Sequence, residues 1–219
     1  MAHIIFDFDS TLADTHDQVI DSVQAIISKE TGVERTRDEI VQRFIANSED
    51  LYPQFGIDMK APGVRKRLDD HWRDIARVSW EKIGFFKEVP GLLKQLMDNN
   101  HRLHILTLRD RESTEKVLKR FDLMEYFDGI ACGDDDVQKP NPTALWNLFP
   151  KNRPGPHEIF MVGDSPIDIA LAKNAGVQSI HALWCDFAKG VQLGDHLKPT
   201  YIAEHPLDCL SLIEQHPQK

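Results

Sequence analysis

Short runs of largely apolar residues alternate along the chain with segments in which apolar residues recur every three or four positions. The first pattern is typical of buried strands, and the second is typical of amphipathic helices. The predicted strands cover residues 4–6, 103–108, 130–132, 159–162, 179–183 and 201–203, and most are separated by predicted helices at 89–99, 112–121, 143–149, 168–174 and 207–215. Strands and helices in alternation indicate an α/β fold with a doubly wound parallel sheet.

One segment interrupts this alternation. Residues 14–86 show no clear strand pattern but several amphipathic helical patterns. Apolar side chains share one helical face in two sets, Ile20, Val23 and Ile27, and then Val64, Leu68, Trp72 and Ile75. We therefore predict a core domain made of residues 1–14 and 87–219, and an all-helical domain, residues 15–86, inserted after the first strand.

Composition narrows the classes of function. The chain has 219 residues, of which 41% are hydrophobic, and a formal net charge of −9. This is enough apolar mass for a core, but the charge disfavours binding to nucleic acid. The three cysteines lack any CxxC spacing, no signal pattern is present, and no apolar stretch approaches the roughly 20 residues that span a bilayer. We expect a cytoplasmic protein that binds neither nucleic acid nor membranes, as a monomer or homodimer.

Two carboxylates follow the first apolar run directly. Asp7 and Asp9 come after Ile4-Ile5-Phe6 and are separated by a single residue. Ligands of parallel α/β sheets bind beyond the carboxyl ends of the strands, so both side chains are expected at the site of chemistry. Two ionised carboxylates this close repel each other unless a positive charge lies near them. A divalent cation is the simplest source of that charge.

Other polar residues stand at the ends of later predicted strands. Thr107 closes the run that begins at Leu103, Lys139 follows the strand at 130–132, and Asp164 and Asp168 follow the strand at 159–162. Because the carboxyl ends of neighbouring parallel strands face one crevice, these side chains are expected to converge with the first pair.

The combined set of groups suits phosphoryl transfer. This chemistry needs a nucleophile, donors to the equatorial phosphoryl oxygens and a cation that neutralises charge. Asp7 is the candidate nucleophile, and Asp9 is the candidate general acid and base for the leaving oxygen and for water. Thr107 and Lys139 are the candidates that hold the phosphoryl oxygens.

The same set contains a predicted Mg²⁺ site. Carboxylate oxygens are hard ligands of the kind that Mg²⁺ prefers. Asp7, Asp9 and Asp164 are the candidate ligands, and Asp168, four residues beyond Asp164, is either a further ligand or a group that orients the ligands.

These residues resemble the ordered motifs of the haloacid dehalogenase superfamily, in its phosphatase branch. The four matching segments are Asp7-Phe-Asp9-Ser10-Thr11, Thr107, Lys139-Pro140 and Gly163-Asp164-Ser165-Pro-Ile-Asp168. The resemblance covers nearly the whole chain and implies a Rossmann-like core with a helical C1-type cap. It also implies Mg²⁺ dependence, an aspartyl-phosphate intermediate, and closure of the cap over a small phosphorylated metabolite, much as in phosphoglycolate phosphatase-like members.

Two positions depart from the usual pattern of this group. Ser10 stands where glycine is frequent, and Leu108-Arg109 follows Thr107 where Asn or Gly is frequent. Both Ser10 and Arg109 are predicted to bind substrate. Arg109 is the candidate for contact with a second anionic group.

Other activities on the same core remain open at this point. Dehalogenation through Asp7 would need neither metal nor leaving-group acid, so Asp9 and Asp164 argue against it. Phosphonate cleavage expects a lysine in the helical domain, for which Lys60 is available. A phosphomutase would share every core residue, and a non-catalytic protein could bind a phosphorylated ligand in the same pocket.

Two further segments receive predictions. The acidic run at residues 134–136 is predicted to be a solvated face, because like charges in a polar loop are usually hydrated. The segment 44–56 of the helical domain is predicted to contact substrate and to determine which phosphate ester is accepted.

Overall fold

A computed structural model of the chain describes residues 1–44, 48–190 and 193–215. The chain divides into two compact units, one formed by Met1–Asp14 with Gly84–Lys219 and the other by Thr15–Ile83. We call them the sheet unit and the helical unit. The strands are β1 (His3–Phe6), β2 (Ala13–Asp14), β3 (Gly84–Phe85), β4 (Arg102–Leu106), β5 (Phe127–Ala131), β6 (Ile159–Gly163), β7 (Gln178–Ala182) and β8 (Tyr201–Ala203). The helices are α1 (His16–Thr31), α2 (Arg37–Arg43), α3 (Ser48–Leu51), α4 (Val64–Ser79), α5 (Val89–Asp98), α6 (Arg111–Arg120), α7 (Pro142–Trp146), α8 (Pro166–Ala175), α9 (Asp186–Gly190) and α10 (Asp208–Gln215).

The described part of the sheet unit is built on a six-stranded sheet in the order β5-β4-β1-β6-β7-β8, and all of its strand pairs are parallel. The α/β fold with a parallel sheet that the sequence predicted is therefore confirmed. β1 pairs with β4 on one side and with β6 on the other. The chain order of the strands reverses around β1, and such a switch point is where α/β sheets open a crevice for ligands.

Alternating residues of the central strands point to opposite faces of the sheet, and both faces are covered. Ile4, Ile5 and Phe6 of β1 are fully buried. One face packs on residues of α7 and α8 in a cluster with Ile5, Leu106, Leu145, Met161 and Leu171. Burial on both sides explains why these strands are nearly continuous apolar runs, and it fixes the strand ends that carry the polar residues.

The helical unit has its own core. α1 and α4 contribute Ile20, Val23, Ile27 and Leu68 to a buried cluster that also contains Tyr52 and Phe55, and Trp72 and Ile75 pack against it. Gly32, with φ of 69°, ends α1 by donating its N–H to the carbonyl of Ser28. The side chains of Thr36 and Glu39 cap the start of α2.

Two features differ from the prediction for residues 14–86. The residue pairs of β2 and β3 form an antiparallel ladder, in which Ala13 opposes Phe85. The second boundary between the units therefore falls before Gly84, whereas the sequence placed it after residue 86. Two-residue strands show no periodicity, so the pattern of apolar positions could not predict them. A short 3-10 helix, Tyr52–Phe55, follows α3 directly.

Among the helices of the described residues, none combines the length and the hydropathy that a bilayer-spanning helix requires.

Candidate active site

A tight loop after β1 separates the two carboxylates of the first motif. Asp7 continues the pairing of β1, because its N–H donates to the carbonyl of Val162 at 2.8 Å. Its side chain is buried, whereas that of Asp9 is 30% exposed. Phe8 lies between them and is fully buried in the core. The side chains of Asp7, Phe8 and Asp9 thus continue to alternate in direction as they do along a strand. Phe8 points into the core, and the two carboxylates point away from it.

Ser10 closes this loop in a left-handed conformation. Its φ is 59°, and its N–H donates to the carbonyl of Ala13 at 2.8 Å. A positive φ is easiest for glycine and costs a residue with a Cβ about 1 kcal/mol. The frequent glycine at this position in the family that the sequence resembles thus has a backbone reason. The structure places Ser10 beside the site, but its predicted contact with substrate is untested.

Lys139 lies between two carboxylates. Its Nζ donates to Oδ1 of Asp7 at 2.7 Å and to Oδ1 of Asp168 at 2.7 Å, and all three side chains are buried. Burial alone would lower the pKa of Lys139. The charges of Asp168 and Asp7 raise this pKa by more than burial lowers it, so the pKa lies well above its usual value. The ammonium therefore stays charged at neutral pH and holds the proposed nucleophile in one orientation.

Both carboxylate oxygens of Asp168 accept hydrogen bonds from protein groups. Oδ1 accepts from Lys139, and Oδ2 accepts from the Ser165 hydroxyl at 2.6 Å and from the Ser165 N–H at 3.2 Å. The last two contacts cap the N-terminus of α8. A Cβ on Gly163 would lie 2.3 Å from Cγ of Asp168, so only glycine allows the carboxylate to lie over the end of β6. Asp168 therefore orients Lys139.

Asp164 completes a buried acidic cluster. Oxygen atoms of Asp7, Asp164 and Asp168 lie within 4.8 Å of one another. Burial raises the pKa of Asp7 to about 7 even though the charge of Lys139 opposes the change. Burial, followed by the charges of Asp7 and Asp168, raises the pKa of Asp164 well above its usual value.

This charge balance fits a divalent cation. Three buried carboxylates face one ammonium, so the ionised cluster lacks positive charge, and the oxygen donors are of the hard type that Mg²⁺ binds. The structure separates the four predicted metal residues. Three of them cluster, whereas the carboxylate of Asp9 pairs with Arg109, whose Nη1 lies 2.9 Å from Oδ1 of Asp9.

Thr107 stands at the end of β4, next to β1. Its side chain is buried, and its Oγ1 accepts a hydrogen bond from the N–H of Arg109 at 3.1 Å. The hydroxyl hydrogen can then donate to a ligand oxygen. Thr107, Lys139 and Asp164 thus stand on segments that follow β4, β5 and β6, as the rule for parallel sheets requires.

Asp134 and Asp136 of the acidic run 134–136 are exposed, as the prediction of a solvated face expects. Two carboxylates of the run also bind neighbouring loops. Oδ1 of Asp134 accepts from the N–H of Arg111 at 3.1 Å, and Asp135 accepts from the N–H of Cys132 and from the Arg111 guanidinium. A Cβ on Gly133 would approach the backbone oxygen of Leu108 to 1.9 Å. These contacts hold the loops after β4 and β5 together.

Two residues that orient the site were not predicted. Oγ1 of Thr11 donates to Oδ1 of Asp164 at 3.1 Å, and Nε1 of Trp184 donates to the carbonyl of Thr11 at 2.9 Å. Thr11 stands inside the first motif, which was the available signal for it. Trp184 follows β7, 173 positions later in the chain, and nothing local in the sequence marks it.

Comparison with known proteins decides the family. The family model for haloacid dehalogenase-like hydrolases matches residues 4–182. The chain belongs to this family. The match covers Ile4–Phe6 of β1, all of β4 and β6, and every residue of the candidate site described in this subsection except Trp184. The resemblance stated from the four motifs is therefore confirmed.

Members of the family similar to this chain include two curated enzymes. A phosphoglycolate phosphatase from Aquifex aeolicus is 25% identical over 230 residues, which span 99% of this chain and 98% of the relative. The pyrophosphatase PpaX from Bacillus mycoides is 25% identical, over 97% and 96% of the two chains. Among solved structures, a haloacid dehalogenase-like hydrolase from Streptococcus pneumoniae has a TM-score of 0.76, with 19% identity over 97% of this chain and 98% of that one. The enzyme is thus a hydrolase of this family.

The segment 44–56, predicted to contact substrate, is only partly described. Residues 45–47 lie outside the described residues. The rest includes α3 and the 3-10 helix, where Tyr52 and Phe55 are buried in the core of the helical unit. Those two side chains stabilise the unit, so the predicted contact stays a prediction for the remaining positions.

Proposed function

We propose that this enzyme is a Mg²⁺-dependent phosphatase that hydrolyses a small phosphorylated metabolite through an aspartyl-phosphate on Asp7. The observation that carries the proposal is the buried carboxylate of Asp7 at the end of β1, 2.7 Å from Lys139 and grouped with Asp164. The names of the two curated relatives support the same class of reaction, because both act on phosphoryl groups.

The first step is attack on phosphorus by Asp7. An oxygen of its carboxylate forms a bond to phosphorus while the bond to the leaving oxygen breaks, and Asp9 gives a proton to that oxygen. In the second step Asp9 takes a proton from water, whose oxygen attacks phosphorus and releases inorganic phosphate and free Asp7. The partial exposure of Asp9 supports this role, because its proton must exchange with substrate and water.

The phosphoryl oxygens are held by Thr107 and Lys139 in this proposal. Thr107 follows β4, which pairs with the strand that precedes Asp7, and Lys139 follows β5, the next strand outward. Their hydrogen bonds strengthen as negative charge moves onto the phosphoryl oxygens. Lys139 also neutralises part of the charge of Asp7 as the substrate dianion approaches.

Asp7 and Asp164 are the proposed side-chain ligands of Mg²⁺. Bound Mg²⁺ would neutralise negative charge between the nucleophile and the phosphoryl group. Thr11 holds Asp164 in place, and Asp168 acts through Lys139. The predicted cap domain, residues 15–86, remains a proposal, and a cytoplasmic location remains a prediction from the sequence.

The test is release of inorganic phosphate from a panel of phosphorylated metabolites with Mg²⁺ and with EDTA. Asp7→Asn should abolish release, because an amide is a poor nucleophile. Asp128→Asn, on the exposed surface of β5, is the matched control and should keep full activity. Full activity of Asp7→Asn, or no release from any ester by the wild-type enzyme, would refute the proposal.

Product analysis separates the remaining alternatives. Hydrolysis yields free phosphate, whereas a phosphomutase yields an isomeric phosphate ester. Phosphonate cleavage would need a lysine that forms a Schiff base, and such lysines are usually desolvated. Lys60, the residue considered for that role, is exposed in the helical unit.

A further inference from the structure

One side of the Arg109 guanidinium is buried and finds no hydrogen-bond acceptor among the described residues. Its side chain is only 11% exposed, and Nη1 donates to Oδ1 of Asp9. Nε and Nη2 are buried, and no residue in the described part of the chain accepts a hydrogen bond from them. The ring of Phe8, whose centroid lies 5.9 Å from Cζ, covers the guanidinium but offers no oxygen.

The two unpartnered nitrogens form one edge of the guanidinium fork. The N–H groups of Nε and Nη2 point the same way, which is the arrangement that binds carboxylate or phosphate oxygens through two parallel hydrogen bonds. A buried charged donor without an acceptor costs free energy, so this edge favours an anionic ligand. The pairing with Asp9 satisfies only the opposite side.

The surroundings of Arg109 show which part of a substrate this edge would contact. Arg109 donates its N–H to Thr107, a proposed phosphoryl ligand, and its Nη1 to Asp9, the proposed acid for the leaving oxygen. A group bound at the free edge would therefore belong to the leaving group, close to the bond that breaks.

We propose that Arg109 binds a second anionic group, a carboxylate or a phosphate, on the leaving group of the substrate. The inference rests on the proposed phosphatase function and adds the class of substrate. Preferred substrates are small phosphate esters or anhydrides whose leaving group carries its own oxyanion. Arg109 holds that oxyanion at one edge while the opposite edge keeps Asp9 turned toward the leaving oxygen.

Three substrates test this proposal. 2-Phosphoglycolate carries a carboxylate, inorganic pyrophosphate carries a second phosphate, and 2-hydroxyethyl phosphate has a neutral leaving group of similar size. In Arg109→Gln, we expect kcat/KM to fall about 100-fold for the better of the two acidic substrates, in line with a lost charge-assisted bidentate contact. The neutral ester should lose less than about 5-fold, since only the contact with Asp9 changes. The better acidic substrate identifies the oxyanion.

Arg102→Gln is the matched control, because Arg102 is exposed at the opposite end of β4 and contacts Asp128. It should leave all three values unchanged. An equal loss on acidic and neutral substrates would show that Arg109 only positions Asp9, and no loss on any substrate would show that it has neither role. Both results would overturn the proposal.

A binding measurement separates failure of this inference from failure of the proposed function. Calorimetric titration of 2-phosphoglycolate and of pyrophosphate into Asp7→Asn measures affinity without turnover. Adding Arg109→Gln should weaken the tighter of the two about 100-fold and leave 2-hydroxyethyl phosphate nearly unchanged. If the wild-type enzyme releases no phosphate but this difference in binding appears, the phosphatase proposal fails and the anion site stands. If the difference is absent, the anion site fails.

Discussion

Nζ of Lys139 lies 2.7 Å from Oδ1 of Asp168, and both side chains are buried. The contact joins the loop after β5 to the first turn of α8 and leaves the ammonium facing Asp7 as well. Asp168 thereby sets the position of a group that the proposed mechanism uses twice, once on the nucleophile and once on the phosphoryl oxygens.

Asp168→Ala should lower the free energy of unfolding by about 3 kcal/mol, because it removes one partner of a buried ion pair. It also removes the cap of α8 that Ser165 shares. Urea unfolding at pH 7.5 measures the loss, and phosphate release should fall at least 100-fold in the same protein. Asp208→Ala is the control, since Asp208 accepts N–H groups near the start of α10 far along the chain from the site. It should cost about 1 kcal/mol and no activity. Equal effects of the two variants would contradict the role assigned to Asp168.

The sequence predicted the parallel sheet well because its strands are buried on both faces. That burial makes the strands long apolar runs, and the polar residue that ends each run marks the edge of the sheet at which ligands bind. Asp7, Thr107 and Asp164 were located by this rule, and the structure places them on segments that follow three adjacent strands.

What the sequence did not predict depends on contacts between distant residues. The spacing of Asp168 from Asp164 left open whether Asp168 is a metal ligand or orients the ligands, because the direction of its carboxylate depends on Lys139 and Ser165. The pairing of Arg109 with Asp9 joins residues 100 positions apart. No periodicity or spacing encodes a contact of this kind, because it arises only when the strands have assembled.

Removal of the metal should change stability in a way that depends on Asp164. In EDTA, Asp164→Asn should be at least as stable as the wild-type enzyme, because it removes one of three buried carboxylates that share a single ammonium. Mg²⁺ at 100 times its Kd should stabilise the wild-type enzyme by about 2.7 kcal/mol and the variant by much less. Thermal unfolding of both proteins with Mg²⁺ and with EDTA gives the comparison. The same Mg²⁺-dependent shift in both proteins would show that Asp164 is not a ligand.

Trp184 should influence the site through Thr11. Its indole N–H holds the carbonyl of Thr11, whose hydroxyl donates to Asp164. Trp184→Phe keeps much of the apolar contact but removes the hydrogen bond. We expect the Mg²⁺ concentration for half-maximal activity to rise about 10-fold, the lower end of the effect of residues that orient metal ligands, with a smaller change in kcat at saturating Mg²⁺. Trp146→Phe, in α7, is the matched control and should leave the Mg²⁺ dependence unchanged. An unchanged Mg²⁺ dependence in Trp184→Phe would exclude this role.

His104 should make the stability of the protein depend on pH. Its side chain on β4 is 3% exposed, and its Nε2 lies 3.1 Å from Nδ1 of His3. Burial, helped by the nearby His3, lowers the pKa of His104 to about 4, whereas the unfolded chain has a pKa near 6.5. As the pH falls from about 6.5 to about 4, the unfolded state takes up the proton first, so the free energy of unfolding should drop by about 1.4 kcal/mol per pH unit, to a total of about 3 kcal/mol.

The difference between the wild-type protein and His104→Gln isolates this contribution from other titrating groups. Urea unfolding at pH 7.5, 5.5 and 4.5 should show the wild-type protein losing more stability than the variant at each step down. His205→Gln, at an exposed position, should follow the wild-type curve. Parallel curves for the wild-type protein and His104→Gln would mean that His104 takes up its proton equally in both states. That result would show that burial of the His104 ring does not keep it neutral. The ring is packed closely against Gly129, since a Cβ added to this glycine would lie 3.3 Å from Nδ1 of His104.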